Sequence, residues 1–254
     1  MFNSQTTRIP DGVTNAAPWQ TFANVGVLDP SWAHVYHNDF DTYLPSDWTI
    51  TLTGTGTSAL AVGAIGGALL ATTTAGAADA NYYQLVQASF QLTPRETLHF
   101  KYFGILSDVT NDVFYAGMLS KSATPLTATD GIYILKATGQ AGLTLNSVIG
   151  GVTTSTPIPG TLVAGVAFEL GLEVDYLGNL AAFFNPGTGG PFTAPTLNSH
   201  PGRQAVIFGL NAVTGQSPSA ALTQVALSPS FGLLNSTAAA RTLTTDYVTV
   251  ASSR

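Results

Sequence analysis

Between Val166 and Asn185 the chain alternates apolar and polar residues with a period of two. Phe168, Leu170, Leu172, Val174 and Tyr176 occupy one set of positions; Glu169, Gly171, Glu173 and Asp175 fill the gaps. Side chains on a strand point alternately to its two faces, so the pattern predicts one face on a core and one acidic face toward water. Leu177-Gly178-Asn179 follows as a turn, since Gly and Asn tolerate positive φ, and Leu180, Ala182 and Phe184 resume the alternation. The stretch predicts an antiparallel hairpin.

The same reading along the chain predicts strands at Trp48–Thr53, 58–63, 67–73, 82–90, Thr97–Leu106, Asp112–Leu119 and Ile132–Leu135. Leu143–Val148 is expected to pair with 151–155, and Gln204–Leu210 and Thr242–Ala251 close the set after a loop rich in Pro and Gly over 185–203. About a dozen antiparallel strands, separated by turn signals roughly every 8–12 residues and with no helical period, predict an all-β sandwich or jelly roll. No repeat at a fixed period points to a propeller or solenoid. Before His37 the alternation fades, and Pro10, Pro18 and Pro30 interrupt the chain. Residues 1–37 are therefore read as an extended arm and 38–254 as the sandwich. Trp19, Phe22, Trp32 and Tyr36 are the arm's candidate anchors for a shell or neighbouring subunit, unless they fold back over the sandwich.

Composition narrows the function classes. Charged residues make up 9% of the chain and hydrophobic ones 45%, the reverse of a disordered chain. So little charge leaves neutral surface that neighbouring chains could cover, a hint of assembly. The net charge of −6 and eight scattered Lys and Arg residues argue against nucleic acid and against an anionic membrane surface. There is no cysteine, which excludes disulfides and thiolate chemistry. The first residues, MFNSQTTRIPDG, lack the layout of a secretory signal, and the apolar run 59–71 is too short to span a bilayer.

Candidate chemistry is sparse. Glu169 and Glu173 on one strand face could form the carboxylate pair of a glycosidase, which in retaining enzymes lies about 5–5.5 Å apart. Laminarinase-type β-glucanases carry an E-x-D-x-E strand, but here the central position is Gly171. The competing reading is a solvated strand face. His34 and His37 with Asp39 and Asp41 offer too few ligands for a metal site, and His99 and His200 stand alone. Asp108, Asn111 and Asp112 could hold calcium, but Asp and Asn also make ordinary turns. No catalytic residue, metal or cofactor is assigned.

Taken together, the opening NDFDTY…DWTITLTGTGT, the central TLHFKYFGI and DVFYAGML strands, TPLTATDGIYI, the FELGLEVDYLGNLAAFFN hairpin and the ending SPSFGLLNSTAAARTLTTDYVTVAS resemble a concanavalin A-like (laminin-G-like) jelly roll. The combination is similar to structural proteins of tailed bacteriophages, most of all capsid decoration or head-associated proteins. The resemblance covers about four-fifths of the chain and implies a non-enzymatic virion component, assembled in the bacterial cytoplasm. It would bind the major capsid protein and stabilise the shell as a cement protein, as a homo-oligomer such as a trimer. The alternatives are a carbohydrate- or receptor-binding module on the virion surface or tail, with a surface glycan as partner, and a β-glucanase-like hydrolase.

Overall fold

A computed structural model describes residues 33–64, 66–87, 89–92, 96–175, 178–186, 204–208, 222 and 225–253. They form two antiparallel sheets. The front sheet contains β1 (Ala33–Asn38), β3 (Thr57–Leu60), β4 (Leu69–Thr72), β7 (Leu98–Leu106), β12 (Ala167–Val174), β13 (Leu180–Pro186), β14 (Gln204–Phe208) and β16 (Thr242–Ser253). The back sheet contains β2 (Trp48–Thr53), β5 (Ala80–Leu85), β6 (Phe90–Gln91), β8 (Asp112–Leu119), β9 (Gly131–Lys136), β10 (Gly142–Ile149), β11 (Val152–Thr161) and β15 (Ala226–Asn235). The front order is β14-β13-β12-β7-β16-β4-β3, with β1 also on β16. The back order is β11-β10-β9-β8-β15-β5-β2, with β6 on β15. This is the all-β sandwich that the alternation predicts.

Inward-facing residues of both sheets make one core. Phe168, Leu170, Leu172 and Val174 of β12 pack with Phe100 and Tyr102 of β7 and with Phe114 and Phe231 from the back sheet. Tyr83 stacks on Phe231 at 4.8 Å, Trp48 meets the same ring edge-on at 5.2 Å, and Phe114 meets Phe168 at 5.3 Å. Such contacts add specificity to the area they bury. The hairpin is formed as the pattern requires: Val174 pairs with Leu180, and Gly178 takes a φ of +83°, open to glycine without strain.

Three features depart from the sequence reading. Residues 33–37 are not arm. Ala33 to Asn38 form β1, paired antiparallel with Ser253 to Val248 at the end of β16. The strand is hard to see because its inward positions are His34 and Tyr36, polar-tipped rings that pack edge-on against Phe90 and Trp48. β15 is a central strand that alternation misses. It is buried on both faces, and Ser228, Ser230 and Gly232 blur its period. Its Pro229 falls where its neighbour on one side changes from β6 at Leu227 to β5 at Ser230, so the missing N–H is accommodated at a break in the ladder. Finally, β11 runs to Thr161, well beyond 155. Trp19, Phe22 and Trp32 lie outside the described residues.

Candidate functional site

Strand parity places Glu169, Gly171 and Glu173 of β12 on the outer face of the front sheet, opposite the core residues between them. β12 is flanked by β13 and β7, so its acids do not guard an edge. Register then brings residues from distant parts of the chain to the same face. Glu169 lies opposite Phe103 of β7 and Asn185 of β13, Gly171 opposite Lys101, and Glu173 opposite His99. Beyond β7, Phe103 pairs with Tyr247 and Lys101 with Thr249 of β16, and Thr249 pairs with His37 of β1.

These residues form a connected array. The Lys101 ammonium makes an ion pair with Glu169 Oε1, and the Tyr247 hydroxyl donates to the same oxygen at 3.0 Å. Lys101 also lies over the Tyr247 ring, 5.3 Å from its centroid. Tyr247 stacks on Phe103 with centroids 5.6 Å apart and planes 13° from parallel. Further along, the His37 ring lies 6.3 Å from that of Tyr247 and its Nδ1 is 2.7 Å from Thr249 Oγ1. Glu169 is only 8% exposed, so the expectation of a solvated acidic face fails here: the long side chains of neighbouring strands close over the carboxylate.

Beside this array lies a shallow surface depression, partly open to solvent, whose enclosed part is only about 20 Å³. Gly171 forms its floor, Lys101, Glu169 and Asn185 supply polar groups, and Phe183 supplies an apolar wall, while Phe184 beside it turns its ring into the core. A Cβ on Gly171 would meet nothing nearer than Phe183 at 3.5 Å, so the floor is low because the side chain is missing and not because the backbone is crowded. The site thus offers a carboxylate acceptor, an ammonium donor, an amide with both functions and an aromatic wall. A hydroxyl-rich, partly apolar ligand needs that combination.

The surrounding charges are muted. Burial pushes the Glu173 carboxyl up, with Asp175 adding to the effect, and burial pulls the His99 imidazole down to about 4, leaving it neutral at pH 7. Asp175 accepts hydrogen bonds from the backbone and side chain of Asn179 and organises the hairpin turn. Glu169 and Glu173 have different partners: Lys101 and Tyr247 for the first, Asp175 as charged neighbour for the second. They are not a pair sharing a proton.

The remaining sequence candidates separate. His34 and His37 sit three apart on β1 and therefore on opposite faces, one against Phe90 and the other beside Thr249, so they cannot share a metal. Among the described residues no group of three His, Asp or Glu side chains could hold a metal ion. Asp108 makes the turn predicted for it: Oδ1 accepts from the Thr110 and Asn111 amides at 2.6 and 2.7 Å. Its other oxygen meets Arg241 Nη1 at 3.0 Å, and Arg241 Nε lies 3.6 Å from Asp112 Oδ1. A guanidinium therefore stands where a calcium reading would put the cation. Asp246, at a bulge in β16, has no signal in the sequence; burial and then Asp39 and Asp41 push its carboxyl up to about 6. Lys101, Phe103 and Tyr247 were equally silent, being ordinary strand residues until the register juxtaposes them. His200 lies outside the described residues.

No protein-family model and no curated protein matches the chain. Solved structures do. A protein of unknown function from Shewanella oneidensis MR-1 superposes with a TM-score of 0.57 at 11% identity, covering 90% of this chain and 95% of that one. An endo-1,3-beta-glucanase from Streptomyces sioyaensis superposes with 0.56 at 15% identity, covering 88% and 97%. Peanut lectin superposes with 0.56 at 8% identity, covering 87% and 97%. At such identities the likeness defines the fold: the sandwich is a concanavalin A-like jelly roll. Because that fold holds both a glucanase and a lectin, it leaves open whether this chain is an enzyme.

Proposed function

We propose that the chain is a carbohydrate-binding jelly roll on the surface of a bacteriophage particle, and that it binds without cleaving. The observation that carries the binding half is the array on the front sheet: Lys101, Glu169 and Asn185 around a depression floored by Gly171 and walled by Phe183. A sugar ring lowered onto Gly171 would bring its hydroxyls to the carboxylate, ammonium and amide and its C–H face to the aromatic wall. The lectin and glucanase folds among the structural neighbours support the reading by analogy of scaffold.

Two features speak against hydrolysis. A general acid must donate a proton to the leaving group, yet Glu169 is itself the acceptor of Lys101 and Tyr247. The position between the two acids, filled by Asp in the glucanase pattern, is Gly171. A screen of immobilised neutral and acidic oligosaccharides tests the reading: the wild type retains at least one glycan, Glu169→Gln retains it at least tenfold less, and neither releases shorter sugars. Glycan cleavage by the wild type, lost in Glu173→Gln, would replace binding with hydrolysis.

The virion half rests on the resemblance to phage structural proteins and on the low charge of the chain, features that also favour a second reading as a capsid decoration protein cementing the major capsid protein. Mass spectrometry of purified particles separates the two. Many copies that stay with tailless heads support cementing, and few copies that leave with the tails support receptor or glycan binding.

A further inference from the structure

Among the described residues, the cations and carboxylates around β12 do not balance. Of the four Lys and Arg residues among them, three are committed elsewhere. Lys121 donates to the Leu85 carbonyl on the back sheet, Lys136 is buried and donates to the Asp112 carbonyl, and Arg241 bridges Asp108 and Asp112. Lys101 is the fourth, and Glu169 holds it. No described lysine or arginine is left for Glu173, the other carboxylate on the outer face of β12.

Glu173 stands two residues beyond Gly171 on the same face, about 7 Å along the strand. Its cross-strand neighbours are His99 of β7 and Ala181 of β13. Neither supplies a positive charge, because burial holds the His99 imidazole neutral and Ala181 ends in a methyl group. The carboxyl is partly buried and makes no hydrogen bond or ion pair among the described residues; its charged neighbour is Asp175, which repels it. Along β13 the outer face steps down from Phe183, opposite Gly171, to Ala181, opposite Glu173. No large side chain of β13 therefore separates the floor of the depression from this acid.

We infer, resting on the carbohydrate reading above, that the ligand is an amino sugar with a free amine, seated over Gly171 with its ammonium on Glu173. A ring centred on that floor brings a substituent amine within reach of the Glu173 carboxylate. The ammonium is favoured there for two reasons: it makes a charge-assisted hydrogen bond to a partly buried acid, and it offsets the repulsion between Glu173 and Asp175. An N-acetyl group is neutral and does neither. A uronic or sialic acid would bring a further carboxylate to the same spot, which like charge disfavours. The two acids of β12 thus read different groups. Glu169, neutralised by Lys101, accepts from hydroxyls, and Glu173 selects the charge.

Calorimetric titration with three tetrasaccharides tests the assignment: β-1,4-linked glucosamine, its fully N-acetylated counterpart and the β-1,4-linked glucose tetramer. The titrations are run at physiological salt, which screens loose attraction to an acidic protein, and at about pH 6, where the amines are protonated. The wild type should bind the glucosamine tetramer about tenfold more tightly than either neutral one. Glu173→Gln keeps the size and removes the charge, and should bring the three affinities within about twofold of one another. Asp47→Asn, at an exposed acid just before β2, should leave the preference in place. A preference for the amine that survives Glu173→Gln, or fades equally in Asp47→Asn, would overturn the inference. So would neutral tetramers bound as tightly as the amine, a result that leaves the carbohydrate site standing. No heat from any of the three overturns it too; a neutral glycan retained by the wild type and lost in Gly171→Ala would then show that the site itself remains.

Discussion

Two places in this sandwich pair a buried carboxylate with a cation, and they differ in what surrounds the pair. At the end of the sandwich, Arg241 bridges Asp108 and Asp112, and Lys136 donates to the Asp112 backbone carbonyl. Asp112 and Lys136 are fully buried, and the Asp112 carboxylate oxygens accept no hydrogen bond among the described residues. Burial and then Asp108 push its carboxyl up to about 6 against the opposing pull of Arg241 and Lys136. On the front sheet, Lys101 and Glu169 stand beside an open depression, and the lysine is a third exposed. The first cluster is closed and ties the β7–β8 turn to the start of β16. The second keeps polar groups at hand where a ligand can reach them. A buried ion pair is thus a structural staple where the protein encloses it and a recognition element where the protein stops short of covering it.

The largest expected effect comes from opening the closed cluster. Arg241→Met should destabilise the fold by about 3 kcal/mol, because it removes the cation that Asp108 and Asp112 share and leaves the buried Asp112 carboxylate opposed by Lys136 alone among the described residues. Thermal unfolding should show it as a fall in Tm on the order of 10 °C. Lys101→Met at the open pair should cost about 1 kcal/mol or less, since its partner can regain water. Equal losses at the two sites would erase the distinction between them.

The acids with raised pKa sharpen the picture through pH. A carboxyl whose pKa is higher in the folded state contributes stability below its unfolded pKa, and that contribution is lost as pH rises through the folded value. Asp112 and Asp246, both pushed up to about 6, therefore make the fold less stable at pH 7.5 than near pH 4.5 as far as these groups decide. Asp246→Asn should raise Tm by a few degrees at pH 7.5, where it removes a charge disfavoured by burial and then by Asp39 and Asp41, and change little at pH 4.5. A gain of the same size at both values would contradict this origin.

The β12–β13 hairpin was legible in the sequence because one of its faces is core and the other polar, the condition under which period two appears. β15 was not, since a strand buried on both faces has no reason to alternate, and neither was β1, whose inward rings carry polar atoms. The candidate site was half legible. Glu169 and Glu173 announce themselves as carboxylates on one face, but their surroundings depend on which strands flank β12. Lys101 and Tyr247 lie 68 residues before and 78 residues after Glu169, and only the β12-β7-β16 order makes them neighbours. That order also explains why the acidic face is covered and not solvated.

The smallest expected change in stability belongs to the most informative variant. Gly171→Ala puts a methyl group on the floor of the depression with its nearest neighbour at 3.5 Å, in a strand where Ala is no worse than Gly, so Tm should move by no more than a degree or two. Calorimetric titration of wild type and Gly171→Ala with the glycan retained in the screen tests the central claim most directly. Binding by the wild type that weakens at least tenfold in Gly171→Ala, at equal Tm, is the predicted result. Equal affinity in the two proteins, or no heat from any glycan with the wild type, would contradict a carbohydrate site on this face.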